Sequence, residues 1–224
     1  MPTLLKFVAQ QAEDLYNQSF RTDTTTFFLL EDFIFYVGNT ISQMYDALYQ
    51  RQYNENRADK KDELVSFDST VLSEQILEVE NKDGRLFAKY KQPVMSFAYD
   101  NNTIGVQDIY PIKPQGNYQF ERTTSSGMWQ LEYVPYVDKI FFYGNSEGIV
   151  FKIKGACNIK TIAVHYVPSM YPEAIIPDGM IQPAILATVM AMKQVAAGVI
   201  SKETLDGNYN KIIQTELNKT ALTA

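Results

Sequence analysis

The chain is 224 residues long, 46% hydrophobic and 21% charged, with a net charge of −6. That composition excludes the low-hydrophobicity, high-charge signature of disorder, and the length is enough to bury a sizeable core in what is expected to be one compact unit. The acidic balance argues against a sequence-independent grip on nucleic acid, which needs clustered Lys and Arg to displace counterions from phosphate.

Residues 3–19 place Leu4, Val8, Ala12 and Leu15 three and four apart, which predicts a short amphipathic helix capped by Thr3. In residues 27–53, Leu30, Ile34, Val37, Ile41, Met44 and Leu48 alternate at four and three, the seam of a long helix packed on its neighbours. A second row on this helix, Tyr45, Tyr49 and Tyr53, points to another side, so two faces need cover. Arg51 to Glu63 is charged and reads as a solvated helix end or linker.

From about residue 64 the period falls from 3.6 to 2. Leu86, Ala88 and Tyr90 alternate with charged neighbours, as do Trp129, Leu131 and Tyr133, and Ile149, Phe151 and Ile153. Turn chemistry separates them at Asn81–Gly84, Asp100–Asn102, Ser125–Gly127 and Asn145–Gly148, which predicts a mainly antiparallel sheet of about six strands. Residues 111–127, with Pro111, Pro114, Gly116 and Gly127, read as a long exposed loop.

Pro168, Pro172 and Pro177 close the strand region, and Asp178 is a plausible cap for the next helix. That helix repeats Ile181, Ile185, Val189, Met192, Ala196 and Val199, with Ala184, Ala187, Ala191 and Ala197 between them, so it is apolar almost all round. A last helix over about 208–219 carries Ile213 and Leu217. The expected fold is α+β: helices in 1–63 and 173–224 packed as a small bundle, with the sheet of 64–172 inserted between them.

Residues that could carry chemistry do not converge. The only His, His165, shares the alternation of the only Cys, Cys157, but eight extended residues separate them by about 26 Å. Glu13-Asp14 and Glu31-Asp32 are adjacent on helices and point about 100° apart, so neither pair faces one proton; Glu31 and Asp32 suit the dipole at a helix start. Asp206-Gly207-Asn208 has part of a calcium loop and lacks the other ligands. Neither standard glycine-rich phosphate loop occurs. No catalytic, cofactor or metal residue is therefore expected. Tyr110, Tyr118 and Phe120 could stack bases, although Lys113 and Arg122 give them little positive field.

The lone Cys157 leaves no intramolecular disulfide, so packing must hold the fold. No window approaches the ~20 apolar residues that span a bilayer, and Met1-Pro2-Thr3 leads into an amphipathic segment instead of a secretory leader, so a cytoplasmic origin is expected and the sequons at Asn17 and Asn218 are chance matches. The composition is unusual in its 15 Tyr and 13 Phe against one Trp and one His. Tyr offers large area with few rotors and a polar tip, which suits surfaces that are wet before assembly and dry after it. Tyr45, Tyr49, Tyr53, Tyr110, Tyr118, Phe120 and Trp129 are the candidate interface residues.

Three words, Val94-Met95-Ser96-Phe97-Ala98-Tyr99-Asp100, Gly105-Val106-Gln107-Asp108-Ile109-Tyr110-Pro111 and Met128-Trp129-Gln130-Leu131-Glu132-Tyr133-Val134-Pro135, stand between paired helices. In this layout the chain resembles virion structural proteins of crAss-like bacteriophages, and more narrowly their head-to-tail connector proteins. The resemblance implies a non-enzymatic ring subunit, a dodecamer below the portal, that links capsid to tail, contacts the portal protein and downstream tail or ring proteins, and lets double-stranded DNA pass without specific binding. It also implies assembly in a bacterial cytoplasm and residence in the virion, with no membrane and no cofactor. Residues 1–63 hold six Lys or Arg against ten Asp or Glu, an acidic third that would repel DNA if it faced the channel.

Overall fold

The computed structural model describes residues 3–19, 28–59, 65–82, 85–97, 103–113, 119–124, 127–128, 139–152 and 159–197. They form an α+β fold with helices towards both ends and antiparallel-rich sheets between them, as the change of period predicts. Length alone predicts one unit; the contacts divide the chain into two, one from residues 1–65 and 170–224 and one from 66–169. Stripes of period 3.6 bury against other helices and strand faces of period 2 against other sheets, so each kind of element closes its own core.

In the helical unit, α1 (Leu5–Ser19) buries Leu5, Val8, Ala9, Ala12 and Tyr16, a stripe rotated from the expected one. Leu4 and Leu15 are only half-buried, and Thr3 is not a helix cap. Thr3–Leu4 form β1, paired antiparallel with Ile175–Ile176, which is β12. The orphan N–H groups of the first turn are met by the other end of the chain: Leu5 donates to the Ala174 carbonyl at 2.9 Å and Lys6 to the Pro172 carbonyl at 3.1 Å.

Helix α2 (Leu30–Ala58) starts where Asp32 accepts from the Leu29 N–H at 2.9 Å, so the adjacent carboxylates serve the helix start. Its buried face includes Phe33, Val37, Ile41 and Met44, and its second row is buried as well: Tyr45 and Tyr49 are 0% and 1% exposed. Helix α3 (Asp178–Ala196) has Pro177, not Asp178, at its cap position; Asp178 sits in the first turn, where its charge faces the positive end of the helix dipole. Thr40 of α2 donates to the Tyr36 carbonyl at 2.7 Å and lies 3.1 Å from the Thr188 hydroxyl of α3, both residues fully buried. With its one proton given to Tyr36, Thr40 accepts from Thr188, a polar pin in a dry core.

The β unit contains more strands than the six expected. A five-stranded sheet runs in the order β3 (Glu80–Lys82), β4 (Arg85–Lys89), β10 (Gly148–Lys152), β9 (Lys139–Gly144), β8 (Gln119–Arg122). A three-stranded sheet runs β2 (Ser73–Glu78), β11 (Thr161–Tyr166), β7 (Val106–Lys113), and β5 (Ser96–Phe97) pairs with β6 (Thr103–Ile104). All pairs are antiparallel except β8 with β9. Leu77, Val106, Ile109, Ile162, Val164 and Tyr166 from one sheet and Ala88, Ile140, Phe142, Ile149 and Phe151 from the other make one buried cluster, so the two sheets pack face to face.

Within the loop expected over 111–127, most of the described residues are strand: β7 runs to Lys113 and β8 is Gln119–Arg122, while 114–118 and 125–126 lie outside the described residues. Prolines in this stretch suggested a loop, but Pro111 sits on β7 opposite Ile162, where a register shift accommodates it. The hairpin at Asn145–Gly148 forms as expected, with Asn145 Oδ1 accepting from the Glu147 and Gly148 N–H groups, both at 2.9 Å. The expected strand over 129–133 and helix over 208–219 lie outside the described residues.

Two buried amides hold irregular backbone in this unit. Gln75 Oε1 accepts from Lys91 N and Gln92 N, each at 3.1 Å, and Gln107 Oε1 accepts from Phe67 N at 3.2 Å. Gln75→Leu removes the acceptor for two backbone donors and should destabilise the β unit by about 1–3 kcal/mol, measured by denaturant unfolding.

Candidate interface surfaces

The seven aromatic candidates separate by position. Tyr45 and Tyr49 are corrected to core residues of the helical unit: α2 packs on both α1 and α3, so both of its rows are covered by the chain itself. Tyr53, one turn beyond, is half-buried and stacks on Tyr49 with ring centroids 6.3 Å apart and planes 10° from parallel. Phe120 is half-buried and packs against the β cluster, edge-on to Phe151 at 6.2 Å. Tyr118 and Trp129 lie outside the described residues.

Among the described candidates, Tyr110 is the exposed one. Alternation on β7 sends Ile109 inward and Tyr110 outward, 49% exposed. Its ring lies edge-on to His165 at 5.2 Å, and His165 Nε2 lies 3.3 Å from Glu74 Oε2. In the register, Ala163 stands between Tyr110 and Ile76, the latter 48% exposed, while His165 stands between Asp108 and Glu74. The only His is therefore part of a solvent-facing sheet surface with two carboxylates and an aromatic ring as neighbours.

Sequence reasoning missed the apolar surface of the helical unit. Phe7 on α1, Leu29 and Phe35 at the start of α2, and Leu186 and Met190 on α3 are all exposed. The signal was available for α3, which is apolar all round yet buries Ala184, Ile185, Thr188 and Met192, leaving Leu186 and Met190 one turn apart on another side.

Among the described residues, Val79, Leu86, Phe120, Ile140, Phe151 and Ile159 line an apolar recess with no room for a water molecule, so nothing in it would hold or orient a polar ligand. Burial pushes the Tyr90 phenol well above its ordinary range, so it stays protonated. Among the described residues, no group of three His, Cys, Asp or Glu could hold a metal ion, and no helix is long and apolar enough to cross a membrane. The sequence matches no family model and no curated protein.

Proposed function

We propose that the chain is a non-enzymatic structural subunit of a phage virion: a head-to-tail connector protein that forms a ring, twelve-fold, below the portal. It links capsid to tail, touches the portal protein above and tail or ring proteins below, and lines a channel through which double-stranded DNA passes without specific contacts. The observation that carries this proposal is the apolar surface left on each unit. Leu29 and Phe35 are 67% and 61% exposed in the helical unit, and Ile76 and Tyr110 are about half exposed in the β unit. Large side chains left in water on both units suit a subunit buried by neighbours, and a ring needs two different complementary patches on every copy. The resemblance to crAss-like phage connector proteins supplies the name of the assembly, and the net charge of −6 suits a channel that does not grip phosphate.

The test is the mass of the purified chain, alone and with portal protein, followed by image classification of the particles. A closed ring with twelve-fold symmetry is the expected result. Three-fold or six-fold particles would move the chain to another tail component, and a monomer at every concentration, with and without portal, would end the proposal.

A further inference from the structure

The two sheets of the β unit turn their apolar sides towards each other, so alternation gives each an outward face. On the three-stranded sheet the outward row Ile76, Ala163, Tyr110 runs across all three strands, and Glu74, His165, Asp108 form the row beside it. Among the described side chains its carboxylates are Glu74, Glu78 and Asp108, all exposed. This face is acidic around an apolar centre.

The outward face of the five-stranded sheet has the opposite sign. Leu86 and Ala88 of β4, and Ile149 and Phe151 of β10, belong to the inner cluster, so Arg85, Phe87 and Lys89 and then Val150 and Lys152 point out. Phe87, Val150 and Tyr143 stand in register across β4, β10 and β9 as a half-buried apolar row. Among the described side chains, Arg85, Lys89, Lys139 and Lys152 share this face with two carboxylates, Glu80 and Glu121, and Glu121 is already held by Lys139 at 2.7 Å. Towards β9 the Lys152 amine donates to the Met128 carbonyl at 3.2 Å, so the open area lies over β3, β4 and β10, where Arg85 and Lys89 are exposed.

We infer that these faces are the two halves of one repeated contact between copies of this chain: the acidic face of the three-stranded sheet on one copy packs against the basic face of the five-stranded sheet on the next. Each face offers an apolar row flanked by charge, and the charges are opposite. Stacked sheets lie about 10 Å apart, close enough for both rows to interdigitate. Acidic on acidic, or basic on basic, is repelled, so the contact runs head to tail and does not close as a two-fold dimer. A face about 20 Å by 14 Å, roughly 280 Å², is less than the ~800 Å² per partner of a standard interface. It therefore selects partner and direction while other surfaces add area. The inference rests on the ring assembly proposed above and names the contact that propagates it.

The test uses the full chain and two double variants, E74K/D108K and R85E/K89E, with association followed by light scattering across a concentration series. Each variant alone should need at least about tenfold more protein than wild type to associate, because like charges then meet at every contact. An equimolar mixture should restore association, since either face of one variant complements the other's. Near-normal assembly of either variant alone, or a mixture no better than its components, would overturn the contact while leaving the ring intact. A wild type that never associates would instead overturn the ring itself. Thermal melts check that both variants fold. The unaltered chain gives an independent reading: its association should weaken as salt rises from about 0.05 to 0.5 M, and indifference to salt would sink the contact even if a variant failed to fold.

Discussion

Gly148→Ala should cost the β unit about 3 kcal/mol, lowering its melting temperature by roughly 10 °C. Gly148 begins β10 opposite Lys89, and a Cβ built on it would lie 2.3 Å from the Ala88 carbonyl oxygen and 2.6 Å from Phe87 Cζ. The ring could swing aside, but the carbonyl belongs to the backbone of β4, so relief means moving a paired strand. β10 lies between β4 and β9 in the centre of its sheet, and Ile149 beside Gly148 is fully buried in the cluster. The displacement therefore reaches the core. Calorimetry of the purified variant checks this; a melting temperature within 2 °C of wild type would show that the close approach relaxes freely.

Tyr45→Ala should destabilise the helical unit by about 3–5 kcal/mol, whereas Tyr110→Ala should change folding stability by less than about 0.5 kcal/mol. Both are tyrosines read from the sequence as interface candidates, yet one is fully buried in the isolated chain and the other half exposed. Removing the Tyr45 ring leaves a cavity that rigid helices cannot fully close, while removing the Tyr110 ring deletes surface that only a neighbour would cover. Denaturant unfolding reads the first effect and association measurements the second. If Tyr45→Ala melted like wild type and lost only assembly, its burial in the chain's own core would be wrong.

The pair also shows why periodicity located elements better than it assigned their faces. Spacing identified α1, α2 and α3, because apolar residues at three and four leave few alternatives once 15 or more residues agree. It could not say that both rows of α2 would be covered from within, since that depends on α1 and α3 arriving on two sides of the helix. Thr3 fits a helix cap by residue type, but pairing with Ile175–Ile176 is non-local, and no nearby residue signals it. The same limit applies to 111–127: local proline and glycine suggest a loop, while pairing with β11 and β9 makes strands of 111–113 and 119–122. Tyr110 stood among the interface candidates, but the alternation that turns it outward belongs to β7, a strand the sequence reading did not assign. The carboxylates beside it were not legible, because Glu74 lies 36 positions away in sequence and becomes a neighbour only through β11.

The antiparallel pairing of β1 with β12 also fixes an order of events during synthesis. Residues 66–169 are contiguous, so the β unit has all its strands once the ribosome has passed Ser169. The helical unit cannot close at that moment. Thr3–Leu4 and the first turn of α1 wait for Pro172 to Ile176, and α3 follows only after them. A chain released before residue 172 would carry every described strand from β2 to β11 but lack β12 and α3, so the faces of α1 and α2 that α3 covers would stand open to chaperones.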